Sequence, residues 1–298
     1  DIGFIAGDHS LRFSGKFLRA DAGSVLELLA DQLRNPAFDP DVLETFKSRQ
    51  EAGLLQSIDS PDYRSDAQLS RLLYPSNHIN YSTPIDALVA DMRNTTVDDL
   101  IDFHKTHYGS KSMRLVFAGD IDFDQLKAAV GNAFDGWNTG SEYNQADTAQ
   151  LDNNVRSERI HLKDKASVAV RIGYNTGLRR TDDDYLSFMV GNYILGGSFH
   201  SRLMSEIRKN QGLTYDIRTR HQGDILTTGN WILAASFSPS ILEEGLRATH
   251  RVINQWHDQG VTEAEVQSAI ATLTGSYLVG LSTTGRVAAQ VHSFMQRG

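Results

Sequence analysis

Apolar residues follow two different spacings along the chain. In residues 26–58 and 249–281 they recur every three or four positions, a spacing that predicts amphipathic helices. A short turn that holds Pro36 or Gly260 divides each stretch, so each predicts a pair of helices. Elsewhere apolar residues alternate with polar ones or form short runs, as strands require. These predicted strands are residues 9–20, 112–120, 159–164, 167–175 and 225–237.

Local signals predict further helices and one loop. Residues 96–108 begin with Thr96, a residue type that favours the helix N-cap, and carry acidic residues in the first turn. Residues 123–137 have a helical period, and another helix begins near residues 181–184. The polar stretch around Pro61 is interpreted as a loop. Strands that are segregated from helical pairs indicate an α+β fold with mainly antiparallel sheets, each covered on one face by helices.

The two helical pairs superimpose without gaps at a constant offset of 223 residues. Two unrelated helical pairs remain the alternative, but the shared pattern favours two related domains. The boundaries we predict are residues 1–140 for the first domain, 141–157 for a polar linker and 158–298 for the second. The register of the repeat also predicts that the first domain lacks its N-terminal part and the second its C-terminal part.

Composition limits the classes of function. At 298 residues, with 40% hydrophobic and 22% charged residues, the chain is typical of a folded protein of two domains. It has no apolar run near the ~20 residues that span a bilayer, and a net charge of −8 argues against a nucleic-acid partner. The absence of Cys excludes disulfides and thiolate metal sites. We therefore expect neither membrane nor nucleic acid as a partner.

The segment 196–217 carries the candidate chemistry. Arg208 and Tyr215 combine a permanently charged, rigid donor fork with a phenol donor on a stiff apolar ring. Together such groups can fix a peptide carbonyl. The alternative from the residues alone is structural: Arg208 would cap a helix end or pair with a surface carboxylate, and Tyr215 would pack in a strand.

The same segment resembles insulinase/pitrilysin-type zinc metallopeptidases, which include the mitochondrial processing peptidases. Its matching positions are Gly196, Gly197, Phe199, Ser201, Arg202, Leu203, Ile207, Arg208, Gly212, Leu213 and Tyr215. The resemblance implies that Arg208 and Tyr215 hold the substrate backbone beside a zinc ion that another domain binds. It also implies that Gly196, Gly197 and Phe199 belong to a short form of a glycine-rich substrate loop.

The zinc-binding residues of that family have no counterparts in this sequence. Its H-x-x-E-H motif is absent, and the equivalent stretch of the second domain places Phe188, Gly191 and Asn192 at those positions. The third ligand aligns with Ser57, while Glu51 lies on a different face of the same helix. The resemblance therefore implies that this chain has no catalytic residue and no metal ligand, and that zinc belongs to a partner.

His104 and His107 are the nearest approach to a ligand pair, and we interpret them as packing and capping residues. The function implied by the resemblance is a substrate-binding half of a peptide-degrading zinc peptidase, active only with a zinc-bearing half. Two alternatives stay open: an active peptidase whose zinc motif lies outside this sequence, and a structural relative without proteolytic role. The compartment is open, with the bacterial periplasm favoured by the resemblance.

Overall fold

The computed structural model describes residues 2–7, 10–141, 151 and 153–297. Within them lie ten α-helices and five strands. The strands are β1 (Ile2–Ala6), β2 (Leu11–Gly15), β3 (Val168–Asn175), β4 (Ile217–Gln222) and β5 (Asn230–Phe237). The helices are α1 (Ala22–Arg34), α2 (Pro40–Ser57), α3 (Pro61–Leu73), α4 (Ile85–Asn94), α5 (Val97–His107), α6 (Phe123–Phe134), α7 (Tyr185–Asn192), α8 (Leu242–Gln259), α9 (Glu263–Gly280) and α10 (Thr284–Arg297).

The first part of the chain builds its core from α1, α6 and the β1–β2 hairpin. The hairpin is antiparallel, with Phe4 opposite Phe13. Leu26 and Leu33 of α1 are buried against Phe134 of α6 and the neighbouring Trp137. Helix α5 begins at the predicted cap, where Thr96 accepts a hydrogen bond from the backbone N–H of Asp99 and the Asp99 carboxylate bonds back to Thr96.

Two of the predicted strands, residues 112–120 and 159–164, are wrong. Met113, Leu115 and Phe117 do alternate toward the first core, as a strand would place them. However, neither segment joins a ladder among the described residues. Alternation along a sequence predicts side-chain directions, but a strand also needs a neighbour whose backbone groups it can bond.

The predicted loop around Pro61 is also wrong, because Pro61 is the first residue of α3. Ser60 is the N-cap, and its hydroxyl oxygen accepts a hydrogen bond from the backbone N–H of Tyr63 at 3.3 Å. Proline is well suited to the first helical position, since its ring fixes a helical φ and the missing N–H has no partner there anyway.

The second core surrounds a sheet with strand order β3-β5-β4, antiparallel throughout. The central strand β5 is buried at all but one position. Ala248 and Val252 of α8 belong to the same buried cluster as Phe237 of β5. The approach of α8 is close at Gly245, where a Cβ would lie 2.3 Å from the Phe237 ring, so only glycine fits. The sheet and its helices confirm the predicted α+β class.

Helix α3 extends across from the first part of the chain to cover β3. The Arg171 guanidinium of β3 donates to Asp66 at 2.7 and 3.1 Å and to Asp62 at 2.8 Å. Leu69 of α3 lies against Gly173, where a Cβ would come within 3.0 Å of its side chain. The outer strand of the second sheet is thus held by a helix that precedes it by about a hundred residues.

The predicted duplication is visible in the helices. Both ends of α9 lie 223 residues after the corresponding ends of α2, and α10 begins 223 residues after α3. Helix α10 in turn contacts the first part of the chain, because Arg114 donates to the Met295 carbonyl at 2.6 Å. The helices α3 and α10, which begin at equivalent positions of the repeat, therefore each contact the other copy.

Residues 142–150 and 152 of the predicted linker lie outside the described residues, so the boundaries at 140 and 158 stay predictions. Among the residues that are described, no helix combines the length and hydropathy needed to cross a membrane.

A buried ionic cluster joins the segment that follows β3, which contains Arg180, to the segment between β4 and β5, which contains Asp224. His221 Nδ1 and the Asp224 carboxylate lie 3.1 Å apart, and Arg180 Nε approaches the same oxygen at 2.9 Å. The His221 ring also contacts Thr176 Oγ1 at 2.9 Å. Burial by itself raises the pKa of Asp224, but the hydrogen bonds from His221 and Arg180 outweigh it and hold that pKa well below its usual range.

We expect Asp224→Asn to lower the free energy of unfolding by about 3 kcal/mol at pH 7, because it removes one partner of a buried ion pair. Since the folded-state pKa is depressed, this stabilisation is complete above the unfolded pKa of about 4 and is lost as pH falls below it. Urea unfolding at pH 7 and at lower pH should therefore show the gap between the two proteins narrowing on acidification.

The control is Asp216→Asn, at an exposed carboxylate that pairs with Arg218 at 3.4 Å and should change little. A gap that is small at pH 7, or that widens in acid, would contradict the assignment of Asp224.

Candidate functional site

The segment that carries Arg208 winds as a π-helix instead of an α-helix. Helix α7 continues as a π-helical turn over Tyr193–Gly197, and a second π-helical segment spans Met204–Asn210. Such segments are rare and occur frequently at functional sites. Leu203 and Ile207 are fully buried in the second core, which anchors this segment one residue before Arg208.

A glycine turn then brings the chain back toward Arg208. Gly212 has φ +66, and its N–H donates to the Arg208 carbonyl at 3.1 Å. Only glycine adopts this conformation without strain. Thr214 is then fixed by a hydrogen bond to the Ser236 carbonyl at 2.5 Å, and Ile217 is fully buried. Between these anchors the Tyr215 side chain is 84% exposed.

Arg208 lies over two exposed aromatic rings. Its Cζ is 4.9 Å from the centre of the Tyr215 ring and 5.2 Å from that of Phe199. Phe199 is 66% exposed. Both distances are within the range of cation–π attraction. The fold thus brings together three of the five residues predicted for the substrate site.

Neither structural alternative for these residues is found. Within the described part of the chain the Arg208 guanidinium makes no hydrogen bond and no ion pair. Tyr215 precedes β4 and faces outward instead of packing in a strand. The donors of both side chains are therefore available to a ligand.

Gly196 and Gly197 lie where two segments of the chain come close together. Gly196 is buried, and a Cβ there would lie 2.6 Å from Thr219 Oγ1 and 2.9 Å from Thr219 N. A Cβ on Gly197 would lie 3.3 Å from the Asn192 carbonyl. Gly196 lets the π-helical turn rest on β4, and Gly197 lets that turn close against Asn192, just before Phe199.

The residues at the positions of a zinc motif are engaged in packing. Phe188 belongs to the second core, and Gly191 faces the ring of Trp256. Asn192 is buried, and its side-chain oxygen accepts a hydrogen bond from Trp231 Nε1 at 2.8 Å. Phe188 and Asn192 thus attach α7 to the sheet, and Gly191 lets α7 approach Trp256 of α8.

The other candidate ligands are dispersed. Ser57 donates to the Gly53 carbonyl, and Glu51 accepts from Arg93, whose hydrogen bond lowers the pKa of that carboxyl group. His104 contacts the Leu33 carbonyl at 2.7 Å, and His107 contacts Ser141 at 2.8 Å. Among the described residues no three ligand-type side chains converge as a metal site would require.

Arg202, for which the sequence pattern predicts no role, ties the site to α9. Its guanidinium makes two hydrogen bonds of 2.7 Å to Glu265 and one of 2.9 Å to the Gly260 carbonyl. Hydrogen bonding by Arg202, followed by that of Thr262, lowers the pKa of Glu265 to about 2. The sequence offers one signal for this part of the site, T-E-A-E at residues 262–265. It is a capping box that marks Thr262 and Glu265 as the start of a helix.

Comparison with known proteins settles the family. Residues 94–273 match the protein family described as the peptidase M16 inactive domain, and the match covers more than half of the chain. The chain belongs to this family.

Similar proteins carry related names. This chain is 24% identical over 273 residues to a non-peptidase homolog, YmxG, of Helicobacter pylori, and the match covers 89% of this chain and 60% of that protein. It is 24% identical over 204 residues to a probable inactive metalloprotease, YmfF, of Bacillus subtilis, covering 65% of this chain and 46% of that protein. The chain thus spans about half to three fifths of these relatives.

A crystal structure of a peptidase M16 inactive domain from Pseudomonas fluorescens has the same fold. It superimposes with a TM-score of 0.81 at 21% identity, covering 99% of this chain and 70% of that one.

We expect Gly196→Ala to destabilise the M16 inactive domain by about 1–3 kcal/mol, because its Cβ would overlap atoms of Thr219. Thermal unfolding measures the loss. Gly275→Ala is the matched control, since a Cβ at this position of α9 meets nothing within 4 Å and alanine favours a helix. Equal unfolding temperatures for Gly196→Ala and the unaltered protein would contradict the close approach.

The M16 inactive domain alone should retain far less than one zinc per chain, because its ligand-type side chains are dispersed. Plasma emission after dialysis against micromolar zinc and gel filtration measures the metal content. One zinc held per chain through gel filtration would overturn this expectation.

Proposed function

We propose that this M16 inactive domain is the non-catalytic, substrate-binding half of a zinc-dependent peptidase. In this proposal Arg208 and Tyr215 hold the backbone of a bound peptide, and a zinc-bearing M16 half completes the site as a heterodimer partner. The observation that carries the proposal is the pair itself: the half-buried Arg208 guanidinium lies 4.9 Å from the centre of the exposed Tyr215 ring, and neither side chain has a hydrogen-bond partner among the described residues.

The chemistry of the pair suits a peptide carbonyl. The guanidinium always carries its charge, and contact with the Phe199 and Tyr215 rings restricts its position. A donor that is fixed before the substrate arrives needs little reorganisation when negative charge develops on the carbonyl oxygen. The zinc ion of the partner would supply the hydrolytic water, since no metal-binding cluster lies among the described residues of this chain.

Two observations support the division of labour. The positions that the resemblance aligns with a zinc motif hold Phe188, Gly191 and Asn192, which pack α7 against the sheet and α8. The similar proteins of Helicobacter pylori and Bacillus subtilis bear names that describe a non-peptidase and an inactive metalloprotease.

The bacterial periplasm is the compartment we propose.

A structural relative without proteolytic role is the second candidate. A packing role alone does not account for two large rings that are exposed beside an arginine, because a residue whose role is packing is normally buried or paired. The third candidate, a peptidase with its own zinc motif outside residues 1–298, would use the same two donors within one chain.

Arg208→Ala and Tyr215→Phe should each lower kcat/KM at least about tenfold when the chain is combined with the zinc-bearing M16 subunit of the same organism, since each removes a donor directed at the substrate carbonyl. Hydrolysis of a quenched fluorescent peptide measures this. Thermal unfolding should change little, because both side chains lie at the surface of the second core.

Arg218→Ala is the matched control, as its guanidinium is exposed and pairs with Asp216. Unchanged kinetics in both site variants would favour the structural relative.

A further inference from the structure

A turn of the first copy, residues 75–82, lies against the loop that joins β4 to β5 in the second. The Asn80 side chain makes this contact, because its Nδ2 donates to the Gly223 carbonyl at 3.2 Å and to Thr227 Oγ1 at 3.1 Å. Thr227 is fully buried, and a Cβ on Gly223 would lie 2.6 Å from Asn80 Nδ2. This contact, called the joint below, links the first copy to the second sheet in addition to the ion pairs of α3.

The conformation of the turn depends on His78. Its ring Nδ1 accepts a hydrogen bond from the backbone N–H of Asn80 at 3.0 Å. A backbone N–H can only donate, so Nδ1 carries no proton and the hydrogen of the neutral ring is on Nε2. The ring is buried and stacks on Tyr74, with the ring centres 4.4 Å apart. An imidazolium has a proton on both nitrogens, and it would therefore present a donor to the Asn80 N–H in place of an acceptor.

The turn is also fastened to α3 by groups that do not respond to mild acid. Ser70 Oγ donates to the Asn80 carbonyl at 2.7 Å and accepts from the backbone N–H of Ser82 at 2.8 Å. Arg71 Nε donates to the Ser82 carbonyl at 2.8 Å. Of these hydrogen bonds, only the one to His78 has an acceptor that takes up a proton near neutral pH.

The ionisable groups around the joint have other partners or stay neutral. Arg71 and Arg156 donate to backbone carbonyls, and Asp224 of the β4–β5 loop belongs to the buried ionic cluster. Burial raises the pKa of Tyr74 to about 12, so that phenol stays neutral. Burial also lowers the pKa of His78. The closed joint thus favours the neutral form of the His78 ring.

We propose that His78 is an acid-sensitive latch between the two copies of the repeat. As a neutral ring it holds the turn that places Asn80 on the β4–β5 loop, and as an imidazolium it releases the turn and, with it, the loop. The latch uses none of the residues of the proposed substrate site, so it does not depend on a peptidase role.

The direction of the pH response follows from the burial of the ring. The pKa of His78 is depressed in the closed joint and returns to about 6.5 when the joint opens. The closed joint is therefore favoured above that pH and weakened as pH falls below it. Between about pH 7.5 and about pH 5.5 opening should increase at most about tenfold, the ratio of protonated to neutral ring one unit below a pKa of about 6.5.

Hydrogen–deuterium exchange of the full chain, followed by mass spectrometry, tests the latch. Protection of residues 76–82 and 223–229, corrected for the intrinsic effect of pH on exchange, should fall by about threefold to tenfold between these two pH values. His78→Asn should abolish the fall, because an asparagine side chain accepts the same hydrogen bond from the N–H two residues on and does not titrate. His257→Asn, at an exposed histidine, is the matched control and should keep the fall.

A second variant separates the latch from a general loosening of the protein. Asn80→Ala removes the link to Gly223 and Thr227 but keeps the backbone N–H that His78 accepts. Residues 76–82 should then still respond to pH, while residues 223–229 should be poorly protected at both values.

Protection that does not change with pH in the unaltered chain would overturn the proposal, and so would a fall that persists in His78→Asn. If His78→Asn does not fold, His78→Ser takes its place, because a hydroxyl accepts the same hydrogen bond more weakly and does not titrate in this range.

Discussion

The burial of β5 is the constraint on which the site depends. A central strand that is buried along nearly its whole length must be covered on both faces of the sheet. In the second core Leu203 and Ile207 provide part of this cover by pointing inward. They thereby fix the π-helical segment that contains Arg208. Asn192 completes the cover through its hydrogen bond to Trp231 of β5. Asn192, which the sequence resemblance aligns with a zinc ligand, is therefore part of the packing in this chain.

The site itself is an exception to that packing. Large apolar rings are normally withdrawn from water, and an arginine normally meets a carboxylate. Phe199 and Tyr215 each cover part of their apolar surface by contacting the Arg208 guanidinium. Their exposure is maintained by rigid neighbours: Gly196 against Thr219 on one side, and Thr214 against the end of β5 on the other. This surface is therefore held in place by the fold alone.

The sequence predicted what depends on local spacing. The helical pairs and the start of α5 at Thr96 follow from periodicity and capping, and Phe199, Arg208 and Tyr215 could be grouped because one continuous motif contains them. Contacts between distant segments left no local pattern. The Arg171–Asp66 pair joins residues about a hundred positions apart, and residues 112–120 alternate correctly yet have no strand beside them. The loop predicted at Pro61 was wrong because proline can begin a helix as well as end one.

The reciprocal placement of α3 and α10 has a consequence for how such proteins are put together. Polar contacts between the two copies occur at both α3 and α10: Arg171 of β3 pairs with Asp62 and Asp66 of α3, and Arg114 donates to the Met295 carbonyl of α10. None of these contacts depends on the covalent link between the copies. If the copies were separate polypeptides, the same residues would form part of the interface between them.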